Sequence, residues 1–131
     1  EVLQVIEADY QKMAPEVVEY DAQYCDDAEI LIVSHGVVSR AALDAVKYLR
    51  AQGIPAGYFR PITLRPFPVD AIRQAAGRCQ KVLVVESAIN QLQKVVKEHL
   101  FGLPLEVHSL AKPAVGIIAD EIFVKYQEIS K

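Results

Sequence analysis

The chain has 131 residues, 52% of them hydrophobic and 24% charged, with a net charge of −3. That is room for one domain, able to bury roughly two thirds of the surface of its unfolded chain without a disulfide or metal staple, and too apolar to be disordered. The acidic balance excludes a basic nucleic-acid footprint; no apolar run is long enough to cross a bilayer, and no charged-apolar-small leader is present.

We therefore expect no nucleic-acid or membrane partner and a cytoplasmic location. The first residue is Glu1 rather than Met, and we read the chain as a piece of a longer protein.

Residues 1–16 carry no strong period and end in Ala14-Pro15. They read as a linker, or a short helix, leading from an upstream domain into a domain spanning 17–131. Val18, Tyr20, Ala22 and Tyr24 then alternate with Glu19, Asp21 and Gln23. That period of two predicts a half-buried strand at a sheet edge.

Three strand–helix units follow. Ile30–Val33 is apolar on both faces, as a central parallel strand is, and stops at Ser34-His35-Gly36. The helix after it places Val38, Ala42, Ala45, Val46 and Leu49 on one face and stops at Gly53. A second strand covers about Ala56–Arg60. It enters a proline-rich stretch, and a helix begins near Pro68, because proline suits the first helical turn. Val82–Val85 is the third strand, closing on Glu86 and followed by a helix with Leu92, Val95, Val96 and Leu100 inward. A looser strand, Leu105–Leu110, and a last helix through Ile118, Ile122, Tyr126 and Ile129 complete the chain. The strand–helix order predicts an α/β fold: a three-layer α/β/α domain around a mainly parallel sheet.

The two cysteines, Cys25 and Cys79, are far apart and form no C-x-x-C pair. We expect free thiols, and no zinc or iron–sulfur site within this chain.

In such a sheet, ligands sit beyond the carboxyl ends of the strands. The turn Gly36 to Arg40 is a candidate anion site, through free amides at a helix start and the side chains of Ser39 and Arg40. The same turn, lacking any glycine-rich phosphate motif, also reads as a plain tight turn. Glu86 ends an apolar strand, where it is either an acid–base group or a carboxylate that accepts backbone or arginine hydrogen bonds. The proline-rich stretch presents Arg60, Arg65 and Phe67 on a stiffened backbone. It reads either as a docking loop, since little entropy is lost on contact, or as a stiff connector.

Arg60-Pro61-Ile62-Thr63-Leu64-Arg65-Pro66-Phe67-Pro68 resembles the R-P-I-T-L-W-P-F-P motif of 2-oxoacid:ferredoxin oxidoreductase alpha subunits. The spacing to Glu86 and Gln91 and the lead-in Asp27-Ala28-Glu29 agree, so the resemblance covers roughly residues 17–125. The tryptophan of the motif is Arg65 here, and the serine usual after the first-turn glycine is Val37. The family's E-M-N-x-G-Q stands as Glu86-Ser87-Ala88-Ile89-Asn90-Gln91, where Asn90 is suited to keep a positive φ.

The resemblance implies a carboxyl-terminal domain similar to that of transketolase, with five strands and an antiparallel edge strand at 17–24. It implies membership of an enzyme that uses thiamine diphosphate to decarboxylate a 2-oxoacid oxidatively, forming acyl-CoA and reducing ferredoxin. In that reading this domain carries no catalytic residue. Thiamine diphosphate, magnesium and iron–sulfur clusters lie elsewhere in the holoenzyme. The partners are an upstream pyrimidine-binding domain of the same subunit, a beta subunit and a ferredoxin-type subunit, with ferredoxin and CoA serving the whole enzyme. Docking falls to Arg60, Pro61, Thr63, Arg65, Pro66, Phe67, Pro68, Glu86 and Gln91, with Phe67 partly exposed. Two other readings stand beside this one: a free-standing Rossmann-like module for a small anion, and an assembly domain of another thiamine enzyme.

Overall fold

The computed structural model describes residues 2–131. Five strands, β1 (Tyr20–Gln23), β2 (Ile30–Ser34), β3 (Ala56–Pro61), β4 (Lys81–Glu86) and β5 (Glu106–Ala111), form one sheet in the order β1-β3-β2-β4-β5. β2, β3, β4 and β5 are parallel, and β1 runs antiparallel to β3, opposite Tyr58–Pro61. This is the five-stranded, mainly parallel sheet with an antiparallel edge that the resemblance implied.

The layers follow from the direction of each crossover. The chain steps one way from β2 to β3, then back across β2 to β4 and on to β5. Right-handed crossovers therefore place the first helix on one face and the next two on the other. Accordingly α2 (Ser39–Ala51) joins α5 (Ala119–Ile129) over Ile30, Ile32, Tyr58, Leu83 and Val85. On the opposite face α3 (Val69–Ala75) and α4 (Gln91–His99) cover Leu31, Val33, Phe59, Val82 and Val84. Alternate residues of the central strands feed alternate cores, which is why their sequence is apolar throughout. At β3 the two layers come so close to the preceding loop that only glycine fits. A Cβ on Gly57 would lie 2.9 Å from that of Ala28 and 3.2 Å from the Tyr24 carbonyl oxygen.

Residues 2–17 form a four-turn helix, α1, with no buried residue, where a linker or short helix was expected. Its exposed Val2, Ile6, Met13 and Val17 recur at intervals of four, seven and four, so a helical stripe was present in the sequence. On β1 the inward face is the polar one: Asp21 and Gln23 are half-buried and bonded to each other, while Tyr20, Ala22 and Tyr24 are exposed. The two-turn α3 is too short to reach over the edge strand. A groove of about 620 Å³ remains between them, lined by Tyr20, Ala22, Tyr24, Cys25, Ala71 and Arg78 among others.

The loop before β2 is clamped by Arg50 from the end of α2. Its guanidinium donates to both Asp27 carboxylate oxygens, at 2.6 and 3.0 Å, and to the backbone oxygens of Tyr24 and Ala56. The hydrogen bond from Arg50 holds the Asp27 carboxyl below its ordinary range. A folded-state value below the unfolded one means that this pair's contribution is present above about pH 4 and is lost as pH falls through the depressed folded value. Acid titration of unfolding in Asp27→Asn should therefore show a shallower loss of stability below about pH 4 than the parent. Parallel titration curves would remove the pair from the acid response.

Candidate functional site

The proline-rich loop leaves the carboxyl end of β3 and divides in two. Its first half is tied back to the sheet. The backbone N–H groups of Ile62 and Thr63 both donate to the Glu19 carbonyl, at 3.0 and 3.1 Å. The Thr63 hydroxyl accepts from the Glu19 N–H and donates to the Glu19 carbonyl. His35 Nδ1 lies 3.0 Å from the Pro61 carbonyl, joining the turn after β2 to the end of β3. Thr63 and Pro61 thus fix the loop to its own domain, and Ile62, Leu64 and Arg65 are left outward.

The second half turns inward. Pro66 is half-buried and Pro68 buried. Phe67 is only 9% exposed and its ring stacks on His99 with centroids 4.8 Å apart. This corrects the expectation of an exposed Phe67: it belongs to the core under α3 and α4, and its docking role falls. The ring has an apolar seat between two helices, so burial is favoured over exposure by roughly 2 kcal/mol. Phe67→Ala should consequently destabilise the domain by about 2–3 kcal/mol, well beyond an ordinary surface site. Thermal unfolding measures this, and a loss below about 0.5 kcal/mol would return Phe67 to the surface class.

Glu86 is 4% exposed and takes the role of a capping carboxylate. Its two oxygens each accept one backbone N–H at 3.0 Å, from Leu92 and Gln93 in the first turn of α4. Asn90, the residue at the helix boundary, holds φ 55° and makes no capping bond itself, as its glycine-like position implied. Gln91, the first residue of α4, is exposed.

The candidate anion site is not assembled. Gly36 holds φ 75° as a tight turn requires. Ser39 is buried and accepts a hydrogen bond from the Ser34 hydroxyl at 3.1 Å, beside the buried Tyr58. Burial raises the Tyr58 phenol, so this cluster stays neutral. Arg40 points to solvent, 4.0 Å from Asp44 one helical turn on. The hydroxyl and the cation therefore face different ways.

Arg60 is half-buried, opposite Asp21 in register, and its Nε is buried with no hydrogen-bond partner. Burial pushes the Cys79 thiol up to about 12 and raises Cys25 as well. Both cysteines are free, as expected, and both are poor nucleophiles at neutral pH.

Among the described residues no group of three or more His, Cys, Asp or Glu side chains could hold a metal ion. The residues present do not fit a magnesium diphosphate, and no chemical step is derived from them. No helix among the described residues is long and apolar enough to cross a membrane.

Sequence reasoning missed the tips of the turns. Val37, Ile89 and Val115 sit exposed in loops where polar residues are usual. Apolar residues inside turn segments were the available signal.

The fold and site define an α/β/α domain in which Glu86, Thr63 and Arg50 serve its own loops and helix starts. Residues 28–119 match the family described as pyruvate:ferredoxin oxidoreductase core domain II, and the chain belongs to that family. It is 40% identical over 88 residues to ketoisovalerate oxidoreductase subunit VorB of Methanothermobacter thermautotrophicus, covering 67% of this chain and 25% of that one. It is 38% identical over 96 residues to 2-oxoglutarate synthase subunit KorA of Methanothermobacter marburgensis, covering 73% and 25%. The chain thus spans about a quarter of the length of these curated relatives. In fold it is similar to 2-oxoglutarate:ferredoxin oxidoreductase from Magnetococcus marinus, with a TM-score of 0.76 at 16% identity, covering 92% of this chain and 21% of that one.

Proposed function

We propose that this chain is a non-catalytic assembly domain of the alpha subunit of a thiamine-diphosphate-dependent 2-oxoacid:ferredoxin oxidoreductase. The carrying observation is the family match over 28–119, joined by relatives that are subunits of ketoisovalerate and 2-oxoglutarate enzymes. The domain supports oxidative decarboxylation of a 2-oxoacid to acyl-CoA by holding other domains and subunits in place. Its own polar residues favour this reading: Glu86 caps α4, Thr63 clamps a loop, and Ser39 is sequestered.

In this reading thiamine diphosphate, magnesium and iron–sulfur clusters are held elsewhere in the holoenzyme. The partners are an upstream pyrimidine-binding domain, a beta subunit and a ferredoxin-type subunit, in the cytoplasm. Residues 17–131 form the domain proper, and α1, with no buried residue, is its connection to what precedes. Two relatives of nearly equal identity carry different substrate names, which fits substrate choice lying outside this domain.

The test is deletion of residues 17–131 from the full-length subunit, co-expressed with its partners. The expected result is loss of the assembled complex and of 2-oxoacid-dependent ferredoxin reduction. A complex that assembles and turns over without the domain would overturn the reading.

A further inference from the structure

Helix α1 contributes to neither core. It runs 16 residues with none buried, and Ala14 alone is half-buried. A helix of that length is marginal in water unless a packed face supports it. Val2, Val5, Ile6 and Val17 are β-branched, and Pro15 removes a backbone bond from the last turn, so propensity does not supply the support.

The helix carries a face suited to packing. Leu3, Ile6, Tyr10, Met13 and Val17 stand at intervals of three, four, three and four, and all are exposed. At about 100° per residue these five fall within about 80° of one another, with Val2 bordering them in the first turn. That is the narrow seam of a helix that packs along one other helix, rather than the broader stripe of a helix lying on a core. Its own domain meets a different side. Gln11, Ala14 and Pro15 border the hollow of about 510 Å³ beside Tyr20, Pro66 and Phe67, and none of the five seam residues lines it.

The flanks of the seam are acidic. Glu7 lies about 80° to one side, and Asp9 and Glu16 about 80–100° to the other. The helix has one cation, Lys12, about 140° from the seam on its far side. Among the described residues none of these four charges makes an ion pair. The neighbouring charges do not reverse the sign. Glu19 is exposed two residues past the helix, and the hollow beside it has one charged lining residue, Asp70. Arg65 precedes Pro66 and does not line the hollow.

A second copy is a poor occupant of this seam. About two heptads are too few for a free-standing coiled coil. Self-pairing in either direction would also set Glu7, Asp9 and Glu16 against one another.

We infer that α1 docks along a helix of a separate folded domain whose own apolar seam is flanked by Lys or Arg. This rests on the assembly reading above and gives the segment ahead of the domain a docking role within it. Basic flanks meet Glu7 on one side and Asp9 and Glu16 on the other, which fixes partner and direction, while the seam residues form the water-excluding centre.

The test uses the full-length subunit in its native complex. Ile6→Cys on the seam and Val5→Cys off it are neighbours in sequence, and the native residues are 59% and 60% exposed, so the pair isolates the seam. Peptide mass spectrometry after maleimide labelling separates both from Cys25 and Cys79. The expected result is labelling at 6 at least about tenfold slower than at 5 in the complex, with equal rates after denaturation. With Tyr10 replaced by the photoreactive p-benzoylphenylalanine, the cross-link should fall on another domain or subunit, within one helical turn of a Lys or Arg. Glu7→Lys combined with Asp9→Lys should lower assembled yield by about fivefold or more, and Lys12→Glu on the far side should leave it unchanged. Should a cysteine or photoreactive variant fail to assemble, amide exchange of α1 in the unmodified complex decides instead: slow exchange is expected, and exchange at free-chain rates overturns the inference. Equal labelling at 5 and 6 overturns it, as does a cross-link confined to residues 17–131, to α1 of a second copy or to a segment without Lys or Arg, or no cross-link. Full assembly of the charge-reversed variant overturns it too. A complex that assembles yet labels equally at 5 and 6 defeats this inference alone; assembly without residues 17–131 defeats the assembly reading itself.

Discussion

Replacing Phe59 by alanine should destabilise the domain by about 4 kcal/mol, the largest effect expected of a single substitution here. Phe59 is fully buried in β3, with Ala22 of β1 on one side and Val33 of β2 on the other. Its ring lies under α3 and stacks on Tyr20 with centroids 5.5 Å apart. Truncation removes the ring's transfer energy and leaves a cavity in the centre of the layer, which the paired strands on both sides cannot close. It also removes the main apolar contact of the edge strand, whose own apolar residues are exposed. Urea unfolding of residues 17–131 measures the loss, and at about 4 °C per kcal/mol the Tm should fall by roughly 15 °C. Phe59→Leu, which refills most of the space, should lose only about 1–1.5 kcal/mol. If the alanine variant lost less than about 1 kcal/mol, Phe59 would not be a keystone of this core.

Glu86→Ala should cost about 3 kcal/mol, although it removes no ring and little apolar area. Both carboxylate oxygens are used, one on the Leu92 N–H and one on the Gln93 N–H. Hydrogen bonds to a charged acceptor contribute about 1.5–3 kcal/mol each, and α4 has no other capping side chain at its boundary residue. Alanine leaves two amides without acceptors, one of them buried, at the positive end of a helix. Glu86→Gln keeps one acceptor oxygen and should lose about half as much. On the assembly reading proposed above, the variant should lower assembled yield and leave turnover per assembled complex unchanged. A drop in turnover at full assembly would instead make Glu86 a participant in the reaction.

Much of this protein was legible in the chain itself. The apolar runs at 30–33 and 82–85, the stop at Gly53 and the order of the units define a parallel α/β sheet, because burial on both faces demands that pattern. The proline-rich motif pointed to the family that the profile over 28–119 then showed. Glu86 as an acceptor of backbone bonds was one of two readings of its place at a strand end, and the resemblance set Asn90 at the family's glycine position, suited to a positive φ.

Tertiary structure decided what depends on the reach of neighbouring elements. Alternation in β1 told that one face differs from the other, but the two-turn α3 decided that the apolar face is the open one. Phe67 looked like a docking residue within its loop, yet a seat against His99 between α3 and α4 draws it inside. Ser39 and Arg40 are adjacent in sequence and were grouped as an anion site; a helix turns successive side chains about 100° apart, and one entered the core while the other met water. The aliphatic tips at 37, 89 and 115 lie far apart in the chain, and only the strand order gathers them on one face. Local pattern fixes what a residue favours; the placement of distant elements fixes what that residue meets.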